Sequence, residues 1–195
     1  MNEIQKQPTS CNDSTMTIIN KYGSLADFLV TFNPSRQSTY CQKADRCYFG
    51  SAPTLAEIKK AYGDNAPTMF VLAQAYNLQE YAGSKDKMTS EQLEELSMLI
   101  ANEYFYLKTT EIMMFFHRFK LRKYGQFYGV VDPLVIMGAL RTFVQERNDI
   151  LFHHESEEED KKRKESKAIA VTREQYQQML IEGKAIVPND TLNKI

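Results

Sequence analysis

The sequence predicts a mainly α-helical fold, an orthogonal or up-down bundle of about five helices, and three observations predict it. Capping residues and helix-stopping glycines recur at regular intervals from Pro53 onward. Between them, apolar residues fall three and four apart, the spacing of one helix face. One stretch, after Thr110, is apolar on nearly every side, as a helix in the middle of a bundle must be.

Residues 1–22 are rich in Gln, Asn, Ser and Thr without a period and read as a flexible tail. Ser24 caps a short helix running to about Phe32, which Asn33-Pro34 ends; residues 33–52 read as polar and irregular. Pro53-Thr54-Leu55 opens the first bundle helix, which Tyr62-Gly63 stops, and Pro67-Thr68 opens a second that Gly83 ends. Thr89 with Gln92 forms a capping-box pattern ahead of a long third helix carrying Leu93, Leu96, Leu99-Ile100 and Leu107. Thr109 or Thr110 restarts the chain as a fourth, ended by Tyr124-Gly125. It carries Ile112, Phe115, Phe116 and Phe119 on one side and Met113, Met114 and Leu121 on the other. Asp132-Pro133 gives cap then proline at the start of a fifth helix, which passes Leu151. Acids precede bases through 153–167, a solvated helix or helical linker, and 168–195 is a small C-terminal docking element with one short helix from Thr172 to Ile181. The domain is thus 23–152 with its core in 53–152.

Composition excludes several classes of function. At 195 residues, with 43% hydrophobic and 25% charged side chains, the chain holds one domain of ordinary size and an appendage. A net charge of −1 advertises no global nucleic-acid field, so any electrostatic argument is local. Neither a signal-like N-terminus nor a run of about 18 apolar residues is present, which predicts a cytoplasmic protein with no membrane contact. Three cysteines, Cys11, Cys41 and Cys47, are too few and too clustered for a disulfide framework, and Cys41 and Cys47 have no His or further Cys nearby to complete a zinc site. His153-His154-Glu155 opens a solvated charged stretch instead of lining a metal site. No phosphate-cradling glycine loop and no nucleophile-base pair stands out, so the sequence predicts no enzyme, no cofactor, no metal and no catalytic residue.

The sharpest local feature is His117 to Gly129, four basic residues and no acid, with three aromatics, Tyr124, Phe127 and Tyr128, at its glycine-bounded turn. At 100° per residue Arg118 and Arg122 share one shoulder of the helix, and Lys120 and Lys123 lie toward the other. Cations beside flat rings are what single-stranded nucleic acid requires, so Arg118, Lys120, Arg122, Lys123, Tyr124, Phe127 and Tyr128 are the candidate binding residues. The same residues also fit a structural role, with bases complementing the helix dipole and rings completing the core. Charge is unevenly placed: 53–111 carries five bases and nine acids, 112–152 six bases and three acids.

Leu107-Lys108-Thr109-Thr110-Glu111, Phe115-Phe116, Tyr124-Gly125-Gln126-Phe127-Tyr128-Gly129 and Asp132-Pro133 together resemble an uncharacterised helical family of phages and mobile elements of gut bacteria. That resemblance spans roughly 48–148 and implies no chemistry. The layout, a helical domain with a charged segment, is loosely similar to phage helicase loaders. It implies a non-enzymatic accessory protein that binds DNA or a replication partner such as a helicase. The alternative is a protein-binding adaptor or inhibitor in which Tyr124, Phe127 and Tyr128 form an apolar anchor.

Overall fold

The computed structural model describes residues 11–169 and 173–182. The helices are α1 (Cys11–Tyr22), α2 (Leu25–Thr31), α3 (Gln37–Cys41), α4 (Ala44–Phe49), α5 (Leu55–Tyr62), α6 (Ala66–Ala82), α7 (Ser90–Glu103), α8 (Thr109–Lys120), α9 (Pro133–Ile169) and α10 (Arg173–Ile181), with a 3-10 turn at Pro34–Arg36. The mainly helical bundle is therefore present, and its five expected members are α5 to α9. Among the described residues β pairing is limited to isolated bridges, such as Thr54 with Lys108. No helix of the described residues is long and apolar enough to cross a membrane.

The punctuation works as local chemistry demands. Ser24 and Asp27, Thr54 and Glu57, and Thr89 and Gln92 each form a reciprocal capping box, so two orphan backbone donors are satisfied at the start of α2, α5 and α7. Each cap contributes on the order of 1 kcal/mol. At the start of α8 the Glu111 carboxylate accepts the Lys108 N–H at 2.8 Å. Asp132 Oδ1 accepts the Leu134 N–H at 2.8 Å ahead of α9.

The chain divides into two compact units after Asn148. In the first, α8 lies against α3, α4 and α6, α6 packs along α7, and α1 packs on α5. Ile112, Met113, Met114, Phe115 and Phe116 are all buried, which places α8 at the centre. Burying a side chain of this size contributes about 1.5–3 kcal/mol. Glu111, fully buried, is neutralised by Arg147, whose Nε donates to it at 2.7 Å. In the second unit, exposed pairs Lys161–Glu158 and Arg163–Asp160 sit at i,i+3. Such pairs are worth a few tenths of a kcal/mol.

Several sequence expectations need correction. Residues 11–22 are helix α1, not tail: Ile18 is buried and the Tyr22 ring meets Phe28 and Phe32 at 5.7 and 5.3 Å. Two apolar residues four apart suffice because α1 packs on α5. Residues 1–10 lie outside the described residues. The stretch 33–52 is not irregular, since Gln37, Cys47 and Tyr48 are buried in α3 and α4. Hydrophobic burial therefore starts well before residue 53. The third helix ends at Glu103, not Leu107, because 104–108 forms backbone bonds with the start of α5: Leu55 N–H to Leu107 O at 2.9 Å and Ala56 N–H to Phe105 O at 2.8 Å. Helix α9 runs unbroken from Pro133 to Ile169, so the charged stretch 153–167 is helical and continuous with the fifth helix. The C-terminal helix occupies Arg173–Ile181, and residues 170–172 and 183–195 of the expected docking element lie outside the described residues.

Candidate nucleic-acid interface

The basic turn begins where α8 is stopped. Leu121 is the last near-helical residue, and Arg122 then adopts a left-handed φ of 59°. The Lys123 N–H reaches Arg118 O at 3.1 Å and the Arg122 N–H reaches Phe119 O at 2.8 Å. This paired bonding is a Schellman closure, and its left-handed position is one that glycine normally fills. Among the described residues Arg122 is the one non-glycine with positive φ. A side chain there costs on the order of 1 kcal/mol. The helical shoulder shared by Arg118 and Arg122 therefore does not exist: Arg122 lies beyond the helix. The turn itself is shaped by Gly125 and Gly129, at φ 114° and 83°.

The four cations meet different fates. Arg118 Nη1 donates to the Tyr48 hydroxyl at 2.9 Å, pairs with Glu146 at 3.7 Å, and lies over the Tyr48 and Phe143 rings. Lys123 donates to the same Glu146 carboxylate, to which Tyr124 also donates at 3.0 Å. Burial opposes ionisation of Glu146, but the hydrogen bonds from Lys123 and Tyr124 outweigh it and hold the carboxyl below its usual value. Burial pushes the Tyr124 phenol up to about 12. Lys120 turns inward, donating to Gln37 Oε1 at 2.7 Å and to Asn77 Oδ1, and burial lowers its pKa. Both of its partners are neutral amides. Arg122 is exposed and meets no carboxylate among the described residues.

The rings divide in the same way. Tyr124 is stacked near Phe115 and edge-on to Phe143, at 6.1 and 6.3 Å, so it belongs to the core. Phe127 covers Phe119 at 5.1 Å while remaining half-exposed. Tyr128 is 84% exposed.

What the turn builds is a pair of adjoining clefts. One, of about 390 Å³, lies between the end of α6 and the turn, lined by Tyr81, Phe119, Lys120, Arg122, Gln126 and Phe127 among others. The other, of about 430 Å³, lies against α3, with Gln37, Asn77, Tyr81, His117 and Lys120 in its walls. Tyr81 and Lys120 belong to both, and the Lys120 ammonium is 5.5 Å from the Tyr81 ring centre. No carboxylate lines either cleft. Burial, reinforced by the charges of Lys120 and Arg118, lowers the His117 pKa and favours its neutral form.

Of the seven residues singled out by sequence, Lys120, Arg122 and Phe127 line the clefts, Tyr128 stands exposed on the same turn, and Arg118, Lys123 and Tyr124 converge on Glu146 instead. Sequence reasoning missed Tyr81, which is 64% exposed, along with Asn77 and Gln37. Tyr81 falls at the helical spacing of the α6 core positions, and only its place in the last turn before Gly83 hints at another use.

Residues 87–185 match the model of a family whose description reads Family of unknown function (DUF6633), a span that takes in α7, α8, the turn and α9. No curated protein and no solved structure matches the chain.

Proposed function

The chain belongs to DUF6633, a family of unknown function, and we propose that it acts by binding, with the clefts at the turn holding single-stranded nucleic acid. In this reading it is a non-enzymatic accessory protein of a phage or mobile element that works beside a replication protein such as a helicase. The observation that carries the reading is the pair of clefts meeting at Tyr81 and Lys120, lined by rings and cations and no carboxylate. Every base has a flat face to stack on Tyr81 or Phe127, and Arg122 and Lys120 supply charge for phosphates. Two adjoining clefts of this size suit successive units of a chain better than one compact molecule. The mobile-element setting rests on the resemblance of the Leu107–Pro133 motifs, and the replication partner on the similarity of layout to helicase loaders.

The protein-only reading keeps one observation of its own. Tyr128 and Leu121, 84% and 67% exposed, stand beside two cations that share the Glu146 carboxylate, which suits an apolar anchor for a protein partner. A gel-shift titration with a short single strand at two salt concentrations separates the two. Arg122→Gly should weaken binding and flatten the salt slope by about 0.7. Tyr81→Ala should weaken binding by about 1–3 kcal/mol with the slope unchanged. No shift by the parent at low salt moves the assignment to the protein-binding adaptor.

A further inference from the structure

A third and larger cleft, of about 530 Å³, is built mainly by the stretches of chain whose sequence suggests a tail and an irregular segment, with Phe32 and Thr110 completing its walls. Its lining brings together Lys21 from α1, Lys43 ahead of α4 and Arg46 within α4, and includes no carboxylate. All three cations are exposed, and none of them faces a carboxylate within ion-pair distance among the described side chains.

The walls are held in place. Lys21 Nζ donates to Ser51 Oγ at 3.0 Å and sits 5.1 Å from the Tyr22 ring centre, so this lysine is tied to the rim. Tyr40 stacks on Phe32 at 5.5 Å and donates its hydroxyl to Thr31 O at 3.4 Å. The Gly50 carbonyl, which would repel an anion, is engaged by Lys108 Nζ at 2.8 Å. Gly50 also lets the chain close tightly on α4, since a Cβ there would fall 2.2 Å from Arg46 O.

We infer that this cleft is a binding site for a small molecule carrying two or more phosphate groups. Its volume falls within the usual range for small-molecule pockets and is more than a single phosphate would fill. Three unneutralised cations call for more than one anionic group, and an arginine fork is the side chain suited to bidentate phosphate contact. Tyr22 and Tyr40 offer apolar wall to the remainder of such a ligand, as in a nucleoside diphosphate. The site is independent of the nucleic-acid reading of the turn.

Calorimetric titration of the full chain with inorganic pyrophosphate, and separately with a nucleoside diphosphate, tests it. The parent should bind both at one site per chain. Lys43→Ala with Arg46→Ala should weaken both by about tenfold or more, the scale of one lost charge-assisted contact. Both replaced side chains are exposed, so the melting temperature should hold. Arg122→Gly should leave both affinities unchanged. No binding of either probe by the parent overturns the inference. So does loss of binding in Arg122→Gly with the Lys43/Arg46 variant intact, which would place the ligand at the turn. Displacement of bound pyrophosphate by a short single strand would overturn the small-molecule assignment.

Discussion

Arg118, Lys120, Arg122 and Lys123 put four cations in six consecutive residues, whereas Lys21, Lys43 and Arg46 are scattered over twenty-six. The fold reverses their apparent rank. The dense run gives two members to Glu146 and turns a third inward onto Gln37 and Asn77. The scattered set gathers on one cleft with no carboxylate in its walls. Charge density along a chain is therefore a poor measure of potential in space: what counts is which carboxylate each cation meets after folding.

Both regions depend on α8, which ends in the turn and packs against α3 and α4. Phe116→Ala, at a fully buried position, should have the largest effect, about 3–5 kcal/mol of stability. A thermal melt matching the parent's would mean that α8 is not the shared support of the two regions.

A smaller contrast comes from one lysine in each region. Lys120→Ala should cost about 1–3 kcal/mol, because it strips a donor from the buried Gln37 amide oxygen. Lys43→Ala, at an exposed cleft position, should stay within about 0.5 kcal/mol. Equal effects in denaturant melts would mean that the two sets of cations are not held differently.

Arg122→Gly should raise stability by about 1 kcal/mol, because glycine accepts the left-handed backbone at no steric cost. A variant that melts higher yet binds less would show that the arginine is kept at the turn against its own conformational preference. An unchanged or lowered melting temperature would put the strain elsewhere.

How much of this was legible in the sequence varies by region, for physical reasons. Helices with local signals were readable: Thr54 with Glu57, Thr89 with Gln92 and Asp132-Pro133 act on their own next few residues. The all-round apolar face of α8 likewise announced its burial. Helix α1 was not legible because it has few apolar positions and packs on α5, which a local window does not contain. The site was half-legible. The turn and its rings showed, but the partners that decide their fate, Glu146, Gln37, Asn77 and Tyr48, lie 22 to 83 residues away. Arg122 was misplaced because its position depends on a Schellman closure that composition does not announce.

Glu146→Gln should change stability least, since the carboxylate is partly exposed and its pairs are screened. Its effect should instead appear in binding. Releasing Arg118 and Lys123 would steepen the salt slope for a short single strand by up to about 1.4 units. An unaltered slope would mean that these two cations do not reach the strand even when unpaired.

The most direct test of the account is the salt dependence of single-strand binding by the unmodified protein. With Arg118 and Lys123 held by Glu146, at most Lys120 and Arg122 meet phosphates, so log K should fall against log salt with a slope no steeper than about −1.4. A slope near −2.8, the value for about four phosphate contacts, would contradict it by showing all four cations of the turn at work, as would a protein that does not bind the strand at low salt.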